Sequence, residues 1–368
     1  MEKGALMNIQ QLLDLASADY LNQMLANFAG AGHPVIHSVQ ATPAQFPFLV
    51  DGAKQNAWFL QITVTFAATA ATIPCQLVLK ASRNIEGVAE RERQFYAHLA
   101  KLGYPPQMVR CFGSSWVADD DIGLLLLAQV SGQPIAYNGP TEPHLPQYLS
   151  AVRALAGLHA TTWQQPGQAD AELPCNWTEE FLGAVMPIAK AGAQQLFGLP
   201  QQGFDEAQQQ RVRYILQKLQ SLLRQRAASD GALCINHGDA ALWNFVLDER
   251  PQIPAYILDF QLWCVNPPAW DLGYMIMLLW PADFRRRFAG LMLATYRDEL
   301  ARLGVIYADE EFHQDLRICI LGLVGLLLAN LQLGIWQRDV VRPRLHWLLA
   351  AVADYNCLDL LETDISEA

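Results

Sequence analysis

The 368-residue sequence contains no Gly-x-Gly-x-x-Gly anywhere, so a nucleotide-phosphate loop cannot be read from that motif. Its seven cysteines are an odd number with no Cys-x-x-Cys spacing. They fit neither a disulfide framework nor a zinc cluster, and read as small buried hydrophobes in a reducing compartment. Basic charge is scarce: 25 Lys and Arg against 36 Asp and Glu give a formal net charge of −11. Nucleic acid is therefore not expected as a partner, because phosphate binding needs a basic face, while a cationic small molecule would be tolerated. The one long apolar run, Ile318 to Ala329, is bounded by Arg317 and Asn330 and is too short to span a bilayer, so it reads as a buried helix and no membrane association is expected. The first twenty residues carry acidic side chains and no continuous apolar region with a small-residue cleavage site. The expected location is the cytoplasm. No internal repeat or low-complexity linker interrupts the chain.

What is present is a 52% hydrophobic composition and enough length for two domains or one bilobal unit. Residues 8 to 29 space their apolar side chains as an amphipathic helix does, which predicts an N-terminal helical extension over 1–30. From 31 to 130 the texture is β-rich, with Trp58 to Phe66 a clear alternating strand and Gly123 to Val130 a continuous apolar one. Between them Val88, Phe95, Tyr96, Leu99 and Leu102 define one face of a helix, and Glu92 falls on that face. A carboxylate there needs a partner, and Lys80, at the end of the strand Cys75 to Lys80, is the obvious one. Beyond the turn Ser131 to Pro134 the chain reads as mainly helical, giving a third region over 131–368. Within it Asp271 sits at a plausible helix N-cap that orients the neighbouring loop, and His159 reads as a packed histidine bonding a backbone carbonyl. Arg285, Arg286 and Arg287 read as a solvated face.

The chemistry concentrates between Ile235 and Gln261. Two apolar runs, Phe245 to Leu247 and Ala255 to Leu258, flank a polar segment with two prolines, which predicts a hairpin. Asn244 precedes the first strand and Asp259 follows the second, so antiparallel pairing sets a carboxamide oxygen beside a carboxylate. That pair suits Mg²⁺, a hard cation that takes oxygen ligands. Asp239 lies five residues before Asn244, and Asp-x-x-x-x-Asn followed by Asp-Phe has the spacing of a kinase catalytic loop and its metal-binding Asp.

His237-Gly238-Asp239 with Asn244, then Asp259-Phe260-Gln261 and Pro267 to Leu272, resembles the aminoglycoside phosphotransferase and choline kinase superfamily, most of all its ecdysteroid-kinase-like branch. The resemblance is strong over residues 233 to 275 and weaker from 77 to 160. It implies an α+β, bilobal protein-kinase-like fold, with a small antiparallel β-sheet lobe and a larger helical lobe. The implied activity is that of a kinase moving the γ-phosphoryl group of ATP to a hydroxyl of a small-molecule acceptor. In that reading Asp239 is the catalytic base, Asn244 and Asp259 hold Mg²⁺, and Lys80, set by Glu92, contacts the phosphates. The backbone around Ala128 to Val130 would bind adenine, and the turn around Gly52 would lie over the phosphates. The glycine-poor turn leaves an alternative, a nucleotide-binding regulatory module without turnover.

Overall fold

The computed structural model describes residues 8–29, 33–44, 57–67, 73–135, 141–164, 174, 177–198, 203–247 and 255–362. Gly52 lies outside them. In chain order the main elements begin with α1 (Ile9–Leu15), α2 (Ala18–Ala29), β1 (Ile36–Pro43), β2 (Ala57–Phe66), β3 (Gln76–Arg83), α3 (Val88–Leu102), β4 (Cys111–Val117), β5 (Ile122–Ala128) and β6 (Gln133–Pro134). They continue with α4 (Leu145–Thr161), α5 (Glu179–Phe197), α6 (Glu206–Ala227), β7 (Cys234–Asn236), β8 (Phe245–Leu247), β9 (Tyr256–Ile257) and β10 (Cys264–Asn266). Last come α7 (Ala269–Leu272), a π-helical segment (Gly273–Leu278), α8 (Ala282–Arg302), α9 (Asp309–Gln332), α10 (Arg338–Asp354) and α11 (Asp359–Glu362). The chain forms two compact units, the first from residues 1–136 and 243–263 and the second from 137–242 and 264–368.

The first unit is built on a five-stranded antiparallel sheet of order β1-β2-β3-β5-β4. Along β2 the side chains alternate, with Trp58, Leu60, Ile62 and Val64 buried and Gln61, Thr63 and Thr65 exposed, as the two-residue period of a strand requires. One sheet face carries these residues with Leu77, Leu79, Ala81, Leu124 and Leu126, packed against Leu12, Leu21, Met24 and Leu25 of α1 and α2. The N-terminal segment is thus two helices closing the sheet. Asn8 caps α1, its side chain accepting from the Gln10 and Gln11 N–H groups. Lys80 lies out of phase with Leu79 and Ala81 and so projects from the other face, where α3 packs. The hairpin read from the sequence is present as β8 paired antiparallel with β9, and β6 pairs with the other edge of β8.

Among its described residues the second unit is helical, apart from the β7–β10 pair and connecting turns. Its axis is α9, which packs against α5, α6, α7, α10 and the π-helix. Every residue of the apolar run Ile318 to Ala329 except Leu326 is buried. That burial accounts for its composition, although α9 is long and apolar enough to cross a membrane. Gly192 lets α5 approach α9 closely, since a Cβ there would stand 2.0 Å from the Leu328 carbonyl oxygen. Arg285 departs from the solvated face expected of it. It is 1% exposed and pairs with Asp354 while donating to the Trp347 carbonyl at 2.8 Å, so it fastens α8 to α10. Only Arg286 and Arg287 of that triplet reach solvent.

Candidate active site

In the first unit the Lys80 ammonium is held by two carboxylates. Its Nζ lies 2.8 Å from Glu92 and 2.7 Å from Asp259. Lys80 is 4% exposed and Glu92 1%, so neither charge could stand alone there. Burial by itself would push the lysine pKa down, but Asp259 and Glu92 outweigh it and hold it above its ordinary value, keeping the ammonium charged. Burial pushes Glu92 upward, opposed by Lys80 and by a hydrogen bond from the Phe260 N–H. The Asp259 side chain is 43% exposed. It can therefore answer to both the lysine and a ligand in solvent.

Asp259 holds a left-handed backbone, φ 64° and ψ 65°, which is costly for a residue with a Cβ. The following residues explain how it is kept. Phe260 is fully buried and stacks on Phe95 of α3, with ring centroids 3.8 Å apart and planes 5° from parallel. Trp263 Nε1 donates to the Arg91 carbonyl at 2.7 Å. Both aromatic anchors belong to the segment after Asp259 and both seat on the helix that carries Glu92, so one packing contact sets both acids around Lys80.

Asn244 is 6% exposed and directly precedes β8. Its carbonyl accepts the Leu258 N–H at 2.9 Å, which ties it to the residue just before Asp259. A carboxamide and a carboxylate tied in this way form a hard oxygen-donor set that fits Mg²⁺. At the end of β5, the N–H groups of Ala128 and Gln129 already donate to the Arg110 and Gln76 carbonyls. The next donor along the chain is the Val130 N–H. Ala128 and Val130 lie with Leu127 and Leu258 against the buried cluster Val109, Val246 and Tyr256, an apolar surface suited to a flat ring.

The second unit holds the Asp239 loop. After β7, His237 is fully buried and Gly238 takes φ 81°, a conformation glycine adopts without strain. The loop backbone is fixed by Asp271, whose carboxylate accepts the His237 N–H at 2.7 Å and the Gly238 N–H at 3.0 Å. Asp271 is not an N-cap as the sequence predicts. It sits inside α7, fully buried, and its second partner is His159 Nε2 at 3.1 Å. His159 likewise bonds no backbone carbonyl: its Nδ1 meets the Tyr296 hydroxyl at 2.6 Å. Two residues that read separately as a cap and a core histidine are one buried polar chain under the loop.

Asp239 itself has a side-chain partner, the Tyr274 hydroxyl. Burial, then the Asp239 charge, push the Tyr274 phenol well up, so it stays protonated and donates. Asp271 and Tyr274 are three residues apart, hence on one face of the α7 to π-helix segment. The first fixes the loop backbone and the second its carboxylate. Tyr274 was not anticipated, because Tyr-Met-Ile-Met-Leu-Leu reads as core. The one available signal was its i+3 spacing from Asp271.

Comparison with known proteins gives the arrangement a lineage. Residues 56–306 match the model of the phosphotransferase enzyme family, APH. Among solved structures, the chain is similar to a microcompartment-associated aminopropanol kinase, at TM-score 0.56 and 16% identity over 87% of this chain and 92% of that one. It is similar to aminoglycoside 2′-phosphotransferase-IIIa, solved as its GDP complex, at TM-score 0.52 and 16% identity over 92% and 99%. A candidate aminoglycoside phosphotransferase from Ralstonia eutropha gives 0.51 and 16% over 89% and 97%. No curated protein sequence matches. With the family model covering two thirds of its length, the chain belongs to the phosphotransferase enzyme family, whose members transfer phosphoryl groups to hydroxyls of small molecules.

Proposed function

We propose that this phosphotransferase moves the γ-phosphoryl group of ATP to a hydroxyl of a small molecule and requires Mg²⁺. The observation that carries the reading is the Lys80 ammonium held charged between Glu92 and Asp259. Phosphoryl transfer depends on positioning and on neutralising the charge of the phosphate oxygens. A buried lysine kept positive beside a solvent-facing carboxylate is suited to that task. Lys80 would bind the α- and β-phosphates, with Glu92 holding its direction. The Ala128 to Val130 backbone would receive adenine on the apolar surface next to it. Asn244 and Asp259 would hold Mg²⁺, which when bound supplies charge neutralisation on the phosphate oxygens. Asp239, its carboxylate held by Tyr274, would orient the acceptor hydroxyl and take its proton. The GDP complex and the aminopropanol kinase among the similar structures support nucleotide use and a hydroxyl acceptor.

The test is nucleotide binding. Mg²⁺-ATP is expected to raise the melting temperature of the wild-type chain, and Lys80→Met or Asp259→Asn to weaken that binding roughly tenfold or more. Nucleotide affinity unchanged in both variants would overturn the assignment of the phosphate site. Lys80→Met should also melt lower without ligand, since it leaves Glu92 buried without its cation.

A further inference from the structure

The acceptor remains to be given a chemical class, and the second unit contains one basic group in a suitable place. The π-helix that carries Tyr274 packs against α10, and on α10 lies Arg344, whose positive charge acts on the Tyr274 hydroxyl. Arg344 is half-buried. Its guanidinium lies 5.2 Å from the ring centre of Trp336 and 6.0 Å from that of Trp347. Its Nη1 donates to the Val340 carbonyl at 3.0 Å, while its Nε is buried with no hydrogen-bond partner.

Four other sheltered arginines of this unit are matched by acids, while Arg211, also half-buried, has no acid partner among the described residues. Arg226 pairs with Asp315, Arg285 with Asp354, Arg297 with Asp309 and Arg317 with Asp359. Among the described residues no carboxylate pairs with Arg344. A half-buried guanidinium beside two indole rings, with one hydrogen bond from its Nη1 and none from its Nη2 among the described residues, can receive an anion that the protein itself does not supply. Its planar fork fits a carboxylate with two parallel hydrogen bonds.

Resting on the reading of Asp239 as the base that faces the acceptor, we propose that the acceptor is a hydroxycarboxylate whose carboxylate is received by Arg344 beside Trp336 and Trp347. The net charge of −11 would by itself suit a cationic acceptor. Local charge overrides it, because charges beyond roughly 8 Å are screened at physiological salt while a sheltered group in direct contact is not. An ammonium group in the same position would meet the guanidinium head-on. The two indoles add apolar surface, which favours acceptors with a ring or an aliphatic chain between hydroxyl and carboxylate.

The experiment is calorimetric binding of hydroxycarboxylates from lactate to phenyllactate, each matched with its methyl ester and with the amino alcohol in which CH₂NH₃⁺ replaces the carboxylate. The full-length chain is used, as wild type, Arg344→Gln and Arg344→Lys, with folding of each variant checked by its melting curve. The proposal expects at least one carboxylate to bind roughly tenfold or more tighter than its ester and amine partners. It expects Arg344→Gln to erase that preference and Arg344→Lys to retain part of it. Equal binding within every set, preference for the amines, no carboxylate bound, or a preference that survives Arg344→Gln would each overturn it. Binding needs no turnover, so these outcomes are separate from the base assignment. That assignment fails instead if Asp239→Asn transfers phosphate at the wild-type rate.

Discussion

Two contacts at the residue scale, a hydroxyl on Asp239 and a carboxylate on Lys80, separate positioning from chemistry. Tyr274 donates to Asp239, and a hydrogen bond to a charged group contributes about 1.5–3 kcal/mol. Removing it in Tyr274→Phe strips the charged form of the carboxylate of one donor. Turnover should fall roughly tenfold with nucleotide affinity unchanged, and the acidic limb of the kcat profile should move to higher pH, because the charged carboxylate has lost a stabilising donor. A pH profile that does not move would mean that the tyrosine only fills space. For the other pair, Glu92→Gln leaves Lys80 with Asp259 as its remaining carboxylate. ATP affinity should then weaken, read from the KM for ATP, without loss of the fold, because Gln can still accept from the lysine.

At this scale the contact between Lys80 and Glu92 is legible from the residues alone. Glu92 stood out because a carboxylate on an apolar helical face requires a cation, and the strand-end Lys80 supplied one. Asp259, Asn244 and Asp239 were marked by spacing that has a chemical reason. What could not be read was any partner set by three-dimensional proximity without local pattern. Tyr274, Trp263 and Phe260 look like core residues in the sequence, and their contacts to Asp239, Arg91 and Phe95 come from how distant segments pack.

At the scale of elements, two fastenings determine how firmly the second unit holds its loop. The first is the Asp271 carboxylate with His159 and Tyr296 beneath the His237 to Asp239 turn. Asp271→Ala leaves a buried and a half-buried backbone N–H group and a histidine without their acceptor. It should lower stability by several kcal/mol, on the order of 3–5 by analogy with a broken buried pair, and abolish turnover, as denaturant melts and activity would show. The second is the clasp between α8 and α10. Burial alone would raise the Asp354 carboxyl, but hydrogen bonds from Arg286 and Arg285 outweigh it and hold it below its ordinary value of 3.8. A carboxyl with a depressed folded-state value stabilises fully above its unfolded value and loses that contribution as pH falls through the folded one. Asp354→Ala should therefore cost about 2 kcal/mol at neutral pH, and its melting curve should converge on the wild type below pH 3.8. This clasp was hidden in the sequence. Three consecutive arginines look like a solvated face, and only the turn of α8 decides that Arg285 points inward.

Across the whole molecule, the chain forms two compact units, and the first takes residues 243–263 from within the helical part of the sequence. The β-rich first part and the helical remainder could be read from periodicity. That residues 243–263 group with the first part could not, because the grouping rests on β6 pairing with β8 and on aromatic contacts with α3. The residues proposed to act thus come from a chain that leaves one compact unit and returns. Lys80, Glu92, Asn244 and Asp259 belong to the first, and Asp239, Asp271 and Tyr274 to the second. A chain with these residues in place is expected to catalyse transfer, not merely to bind nucleotide. The most direct measurement follows label from γ-³²P-ATP into hydroxylated acceptors, for wild type and Asp239→Asn side by side, with Mg²⁺-ATP binding monitored in both. Wild-type transfer, a fall of on the order of a hundredfold or more in Asp239→Asn, and nucleotide binding retained by the variant are the predicted results. Undiminished transfer by Asp239→Asn, or nucleotide binding by the wild type with no transfer to any hydroxyl, would contradict the account.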